Sequence, residues 1–168
     1  MGGRRRVAAE DGEFAEWYER LLPQAFRTAN RLLGDRAAAE DAASEGFARA
    51  YAAWGTVRDL PYRDAWVMRV TANVALKVMA RKSPPLPRAR SVEEDDATAN
   101  RLALVAALRA LPRRQREAIV LHYVVGYPAP EVAAALGIAP SSVRTHLKRG
   151  MAALQDGFGG KEGGASLV

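Results

Sequence analysis

Apolar residues recur at three- and four-residue intervals along most of the chain and almost nowhere alternate, which is the period of helices and not of strands. Phe14, Trp17, Tyr18, Leu21, Leu22, Ala25, Phe26, Ala29, Leu32 and Leu33 mark one long amphipathic helix that Gly34 stops. Asp35 is placed to cap a second helix, with Ala43, Phe47, Ala50, Tyr51 and Trp54 on its apolar side and Gly55 at its end. A third helix is predicted from about Asp64 to Lys82, with Val67, Val70, Val74 and Val78 as its inner stripe. The pattern then lapses over "SPPLPRARSVEEDDATAN", where three prolines and an acidic run leave no core face. It resumes over Leu102 to Leu111 and Arg114 to Val125, and ends in the pair "EVAAALGIAPSSVRTHLKRG" and its continuation.

These breaks predict an all-α protein of two small helical domains: 1–13 a disordered basic tail, 14–82 the first domain, 83–100 a flexible linker, 101–155 the second domain and 156–168 a flexible tail. Fully extended, the linker spans up to roughly 60 Å.

In the C-terminal pair, Val132, Ala133 and Leu136 supply the packing side of the first helix, Gly137 a left-handed turn, and Ile138 a plug for the corner. Pro140 suits the first position of the next helix, where its missing N–H costs nothing. Val143, Leu147, Met151 and Leu154 fall on one face of that helix, leaving Ser142, Arg144, Thr145, Lys148 and Arg149 to the outside. Short hydroxyls and long cations on such a helix suit phosphates and guanine edges in a major groove. His146 is either a phosphate contact or a surface histidine, and His122 is expected half-buried within its bundle.

Net charge sharpens this picture. The chain carries 25 Lys and Arg against 19 Asp and Glu, and residues 101–155 hold 8 basic residues against 2 acidic ones, so the excess that favours a polyanion sits in the second domain. The third helix adds a stripe, Arg69, Asn73, Lys77 and Arg81, stepping by four along roughly 18 Å, which either follows a phosphate backbone or is a solvated face. Trp66, one turn earlier, either packs in the core or stacks on a base. Glu40, Asp41 and Glu45 on the second helix repel DNA, so a domain bearing both patches suits one nucleic-acid partner and one protein partner.

Other classes find little footing. With no cysteine there is no disulfide or thiolate chemistry. Two distant histidines offer no triad or metal set, and "GFGGKEGG" lacks the Ser or Thr that a P-loop places after its Lys. No enzyme activity, metal or cofactor is expected. Behind Arg4 to Arg6 there is no apolar stretch, and no run approaches the roughly 20 residues of a membrane span, so a cytoplasmic location without membrane insertion is expected.

The stretches "GDRAAAEDAASEGFARAYAAW", "AWVMRVTANVALKVMARK" and "ALPRRQREAIVLHYVVGYPAPEVAAALGIAPSSVRTHLKRGMAAL" together resemble the two domains of an extracytoplasmic-function (group IV) sigma-70 family factor, actinobacterial and SigE-like in character. The resemblance implies a sigma-2 domain that binds the clamp helices of the largest core RNA polymerase subunit and opens the minus-10 element. It also implies a sigma-4 helix-turn-helix that sits on the second-subunit flap and reads the minus-35 element. Carried onto this chain, the core-binding motif falls on Asp41, Ser44, Glu45 and Phe47, beside Glu40. The minus-10 set falls on the 55–64 loop, with Arg58 and Asp64, and on Trp66, Arg69, Asn73, Lys77 and Arg81. The minus-35 reader falls on Ser142, Arg144, Thr145, His146, Lys148 and Arg149. An anti-sigma protein is a further partner that the family admits. Ser44 stands where the family usually has Gln, Lys77 where Asp is common, and Ala139 where Ser usually caps the last helix. The rival reading is a stand-alone helix-turn-helix regulator that never joins the polymerase.

Overall fold

The computed structural model describes residues 2–81 and 92–159, with side chains over 11–81 and 96–157. Every regular element among them is helical: α1 Gly2–Leu33, α2 Arg36–Ala52, α3 Trp54–Val57, α4 Arg63–Arg81, α5 Val92–Ala110, α6 Arg113–Ile119, a π-helical turn Val120–Val125, α7 Ala129–Leu136 and α8 Pro140–Gly159. They divide into two compact units between residues 78 and 79, inside the last turn of α4.

In the first unit, Trp17, Leu21, Ala25, Thr28, Ala29 and Leu32 form the buried side of α1 at three- and four-residue steps. Pro23 lies within that helix but is exposed, so the hydrogen bond its ring removes is missing on the solvent side. The Asp35 side chain accepts from the Ala38 N–H at 3.0 Å and caps α2 as its position predicts. α2 buries Ala39, Ala42, Ala43, Gly46, Phe47 and Ala50, and these small residues let neighbouring backbones come close. A Cβ on Gly46 would overlap the Thr71 hydroxyl and lie 3.3 Å from Thr71 Cα. Because α4 is approached this closely, its buried arc is wider than one valine stripe. Met68, Thr71, Ala72, Ala75 and Leu76 are buried with Val67 and Val74, whereas Val70 and Val78 are only half-buried.

Several expectations at element ends are corrected. α1 begins at Gly2, so residues 2–13 are helical and not a disordered tail; Ala8, Ala9, Glu10 and Glu13 are strong helix formers, and the segment is tied down at Asp11 and Glu13. Gly55 does not end α2, which stops at Ala52, but sits within the single turn of α3. Tyr51, expected on the apolar side, is 53% exposed, with its hydroxyl donating to Asp11 at 2.9 Å. Residues 92–100 of the expected linker are the first half of α5. The rest of that linker, 83–91, lies outside the described residues. α8 runs on to Gly159, into the expected tail, of which residues 160–168 also lie outside.

The second unit closes α5, α6 and α7 around Val105, Leu108, Leu111, Ala118, Ile119, Leu121, Val132, Leu136, Val143 and Leu147, all buried. The helix expected to run to Val125 widens after Ile119. The Gly126 and Tyr127 N–H groups both reach the Leu121 carbonyl, at 3.2 and 2.9 Å, with Gly126 at φ 99°. His122, half-buried as expected, donates from Nδ1 to the Tyr127 carbonyl at 2.8 Å and fastens this end.

Candidate nucleic-acid interface

The turn between α7 and α8 is built as its residues predict. Gly137 has φ 64°, and the Ile138 N–H returns to the Ala133 carbonyl at 3.0 Å. Pro140 opens α8, and the Ser142 and Val143 N–H groups bond the Ala139 carbonyl at 2.9 and 3.2 Å, so the helix starts from backbone bonds at a residue with no capping side chain. Val143 and Leu154 face inward, with Leu147 at the margin of burial. Arg144, Thr145, Lys148 and Arg149 are exposed, and Ser142 and His146 are half-buried.

Chemically, these six differ. Arg144, Lys148 and Arg149 have no ion-pair partner among the described residues and remain available to an anion. The Thr145 hydroxyl instead donates back to the Ser141 carbonyl at 3.1 Å. His146 Nδ1 is screened from solvent without a hydrogen-bond partner, beside a hollow of about 210 Å³ lined by Ser141, Ser142, Thr145 and His146.

One residue that orients this helix pair escaped the sequence reading. Glu117 is 3% exposed and accepts from Arg113 Nε at 3.0 Å and Arg114 Nη1 at 3.3 Å; the same Arg114 nitrogen reaches the Leu136 carbonyl at 3.3 Å. α6 is thereby tied to the last turn of α7, directly before Gly137. The spacing of Glu117 three and four residues after two arginines was the available signal.

In the first unit the basic stripe lies along α4 as spaced: Lys77 and Arg81 are exposed, and Arg69 and Asn73 half-buried. Trp66 is half-buried, between its two alternatives. Arg58 is half-buried and pairs with Asp59 at 3.5 Å. Asp64 is engaged by the fold itself: Trp17 Nε1 donates to it at 2.6 Å, and Arg20 reaches it through two nitrogens at 3.0 and 3.2 Å. Its carboxylate therefore joins α4 to α1 rather than standing free for a ligand.

On α2, Glu40, Asp41, Ser44 and Glu45 are all exposed. Glu40 pairs with Arg36 at 2.9 Å and Glu45 with Arg49 at 2.8 Å, each one helical turn away, whereas Asp41 has no partner among the described residues. Glu40 and Ser44 also rim a hollow of about 350 Å³ floored by Leu22, Pro23 and Phe26 of α1. Phe47 is a different case. It is 2% exposed, with its ring 4.8 Å from Tyr18 and 5.3 Å from Trp17, so it holds α2 in the core instead of offering a contact surface.

A helical unit that pairs an exposed acidic helix with a basic one, followed by a helix-turn-helix with a cationic outer face, suits a DNA-binding protein that also meets a protein partner. Residues 17–84 match the family model for Sigma-70 region 2, and residues 101–154 match that for Sigma-70, region 4. The RNA polymerase sigma-E factor of Streptomyces coelicolor is 33% identical over 150 residues, covering 86% of this chain and 85% of that one. The ECF RNA polymerase sigma factor SigL of Mycobacterium tuberculosis (strain H37Rv) is 29% identical over 161 residues, covering 89% and 90%. Among solved structures, CnrH in complex with the cytosolic domain of CnrY aligns with a TM-score of 0.57 at 25% identity, covering 89% of this chain and 92% of that one. The sigma factor RpoE of Bartonella quintana, solved with the anti-sigma factor NepR, aligns at 0.52 and 20% identity, covering 87% and 96%, and shares the fold. The chain belongs to the sigma-70 family, in its extracytoplasmic-function group, and is an RNA polymerase sigma factor that binds core enzyme and promoter DNA. Among the described residues no helix is long and apolar enough to cross a membrane.

Proposed function

We propose that the two units divide the work by charge. The α2 face of Glu40, Asp41, Ser44 and Glu45 docks on the clamp helices of the largest polymerase subunit, with Phe47 fixing the helix from beneath. The 55–64 loop with Arg58, together with Trp66, Arg69, Asn73, Lys77 and Arg81, takes the minus-10 element, and Asp64 holds the start of α4 to α1. Ser142, Arg144, Thr145, His146, Lys148 and Arg149 take the minus-35 element while the second unit rests on the flap. The sigma-2 domain takes in α1 to α4 and the sigma-4 domain α5 to α8. The protein acts without catalysis of its own, in the cytoplasm, and an anti-sigma protein is a proposed partner by family resemblance.

The observation that carries this division is that each patch keeps exposed charge with no ion-pair partner among the described residues: Asp41 on α2, and Lys77, Arg81, Arg144, Lys148 and Arg149 on α4 and α8. Flipping a base costs a few kcal/mol, which polymerase and promoter contacts together offset, so the free chain is expected to bind promoters poorly.

Co-elution with sigma-free core polymerase on a sizing column tests the reading. Asp41→Ala with Glu45→Ala is expected to lose co-elution, whereas Lys148→Ala with Arg149→Ala keeps it and loses minus-35 dependent transcription. If both pairs fail at the same step, the division of labour is wrong. A folded wild type that never co-elutes while binding an operator tightly favours the stand-alone regulator.

A further inference from the structure

The segment from Arg58 to Tyr62, between α3 and α4, is bonded through its backbone at both ends, the Arg58 N–H to the Trp54 carbonyl and the Trp66 N–H to the Tyr62 carbonyl, each at 3.0 Å, with the Leu60 N–H on the Val57 carbonyl at 3.1 Å and the Arg63 N–H on the Leu60 carbonyl at 3.2 Å between them. A side chain adds a bond at the Arg58 carbonyl. Arg63 Nη1 donates to the Arg58 carbonyl at 3.2 Å and to Glu13 Oε1 at 2.7 Å. The guanidinium carbon lies 5.6 Å from the Trp54 ring centroid and 5.8 Å from that of Trp17. Trp17 is itself fixed by its bond to Asp64. With its side chain 27% exposed, the guanidinium is bounded by two indoles, a carboxylate and a carbonyl.

We propose that Arg63 is the positioning residue of the minus-10 loop: without touching DNA, it holds the loop backbone at Arg58 in the geometry that captures an unstacked base, and Glu13 of α1 holds Arg63. This rests on the assignment of the 55–64 loop to the minus-10 element. The chemistry selects arginine. A planar, weakly hydrated guanidinium can lie against indole rings while its N–H groups serve a carbonyl and a carboxylate, whereas the compact ammonium of lysine is strongly hydrated and cannot do both. Base capture needs the receiving groups in place before the base arrives, because a loop that must be ordered at that moment adds its own entropy to the barrier.

The test uses holoenzymes assembled from core polymerase with wild type, Arg63→Met, Arg63→Lys and Glu13→Gln. Each is given a duplex promoter recovered by run-off transcription from the source genome, with 2-aminopurine in its minus-10 element. Opening is followed by stopped-flow fluorescence, and affinity for core is titrated separately. Arg63→Met, which keeps apolar bulk between the rings, is expected to slow opening about 10-fold, the scale of a lost charge-assisted hydrogen bond, while core affinity stays within about 2-fold. Arg63→Lys is expected to fall near Arg63→Met, and Glu13→Gln between Arg63→Met and wild type. The inference is overturned if the Arg63 variants open the promoter at the wild-type rate, or if core affinity falls in step with opening, the mark of a general structural role. A wild-type holoenzyme that joins core yet opens no minus-10 DNA overturns the functional reading, and this inference with it.

Discussion

Replacing Gly46 with alanine adds one methyl at the closest approach of α2 to α4. In a helix interior that change alone gains about 1 kcal/mol from lower backbone entropy. Here the new Cβ overlaps the Thr71 hydroxyl and stands 3.3 Å from both Thr71 Cα and Cβ. The hydroxyl can rotate, but Thr71 is fully buried and its backbone cannot yield without moving α4. Overpacking of this kind costs about 1–3 kcal/mol, and about 2–3 kcal/mol is expected where buried backbone must move, so after the gain of about 1 kcal/mol a net loss of about 1–2 kcal/mol remains. For a unit of this size that lowers Tm by about 4–8 °C per kcal/mol. The assay is direct: Trp17, Trp54 and Trp66 are the only tryptophans in the chain, and all lie in the first unit, so their fluorescence in a urea titration reports that unit alone. Thr71→Ala placed in the Gly46→Ala chain removes the overlapping hydroxyl and is expected to recover most of the loss. Equal or higher stability in the single variant, or no recovery in the double, would refute the packing argument.

Glu117→Gln keeps the volume of the residue that ties α6 to α7 but removes its charge; a loss of about 1–2 kcal/mol is expected in the urea transition of the second unit, followed by circular dichroism. Arg144→Ala, Lys148→Ala and Arg149→Ala together are expected to flatten the salt dependence of holoenzyme binding to a minus-35 fragment by up to about 3 in slope; an unchanged slope would remove these side chains from the phosphate contacts. The Tyr51 phenol is raised above its usual 10.0, first by its hydrogen bond to Asp11, then by that residue's charge, then by desolvation. Its protonated form is thus favoured in the folded chain. The contribution to stability is fully present below pH 10 and is lost as pH rises through the raised value, and Asp11→Asn is expected to move the tyrosinate absorbance midpoint down.

Periodicity located the helices because burial of one face is written into the spacing of apolar residues, and the helix-turn-helix was legible for a further reason. Gly137, Pro140 and the run Val143, Leu147, Met151 and Leu154 each state a local requirement of backbone or face, and all agree. Less legible were the places where local preference does not decide. With three glycines among residues 2–13, the start did not distinguish a helix from a tail until Tyr51 and Arg63 were there to meet Asp11 and Glu13. Phe47 fitted a contact motif and an apolar face equally, and only packing against Trp17 and Tyr18 placed it inside.

By itself, then, the sequence determined the helical class, the cationic outer face of the last helix and the acidic outer face of the second, since each depends only on which residues lie three or four apart. Tertiary structure decided which of those charges remain free. Asp64, spaced like a DNA contact, is consumed by Trp17 and Arg20 from 47 and 44 residues away. Arg63, marked by no local pattern, and Glu117, marked only by its spacing after two arginines, become the residues that hold the loop and the turn in place. The physical reason is that a hydrogen bond or an ion pair is made between partners, and helical periodicity records only the side of the helix on which each partner stands.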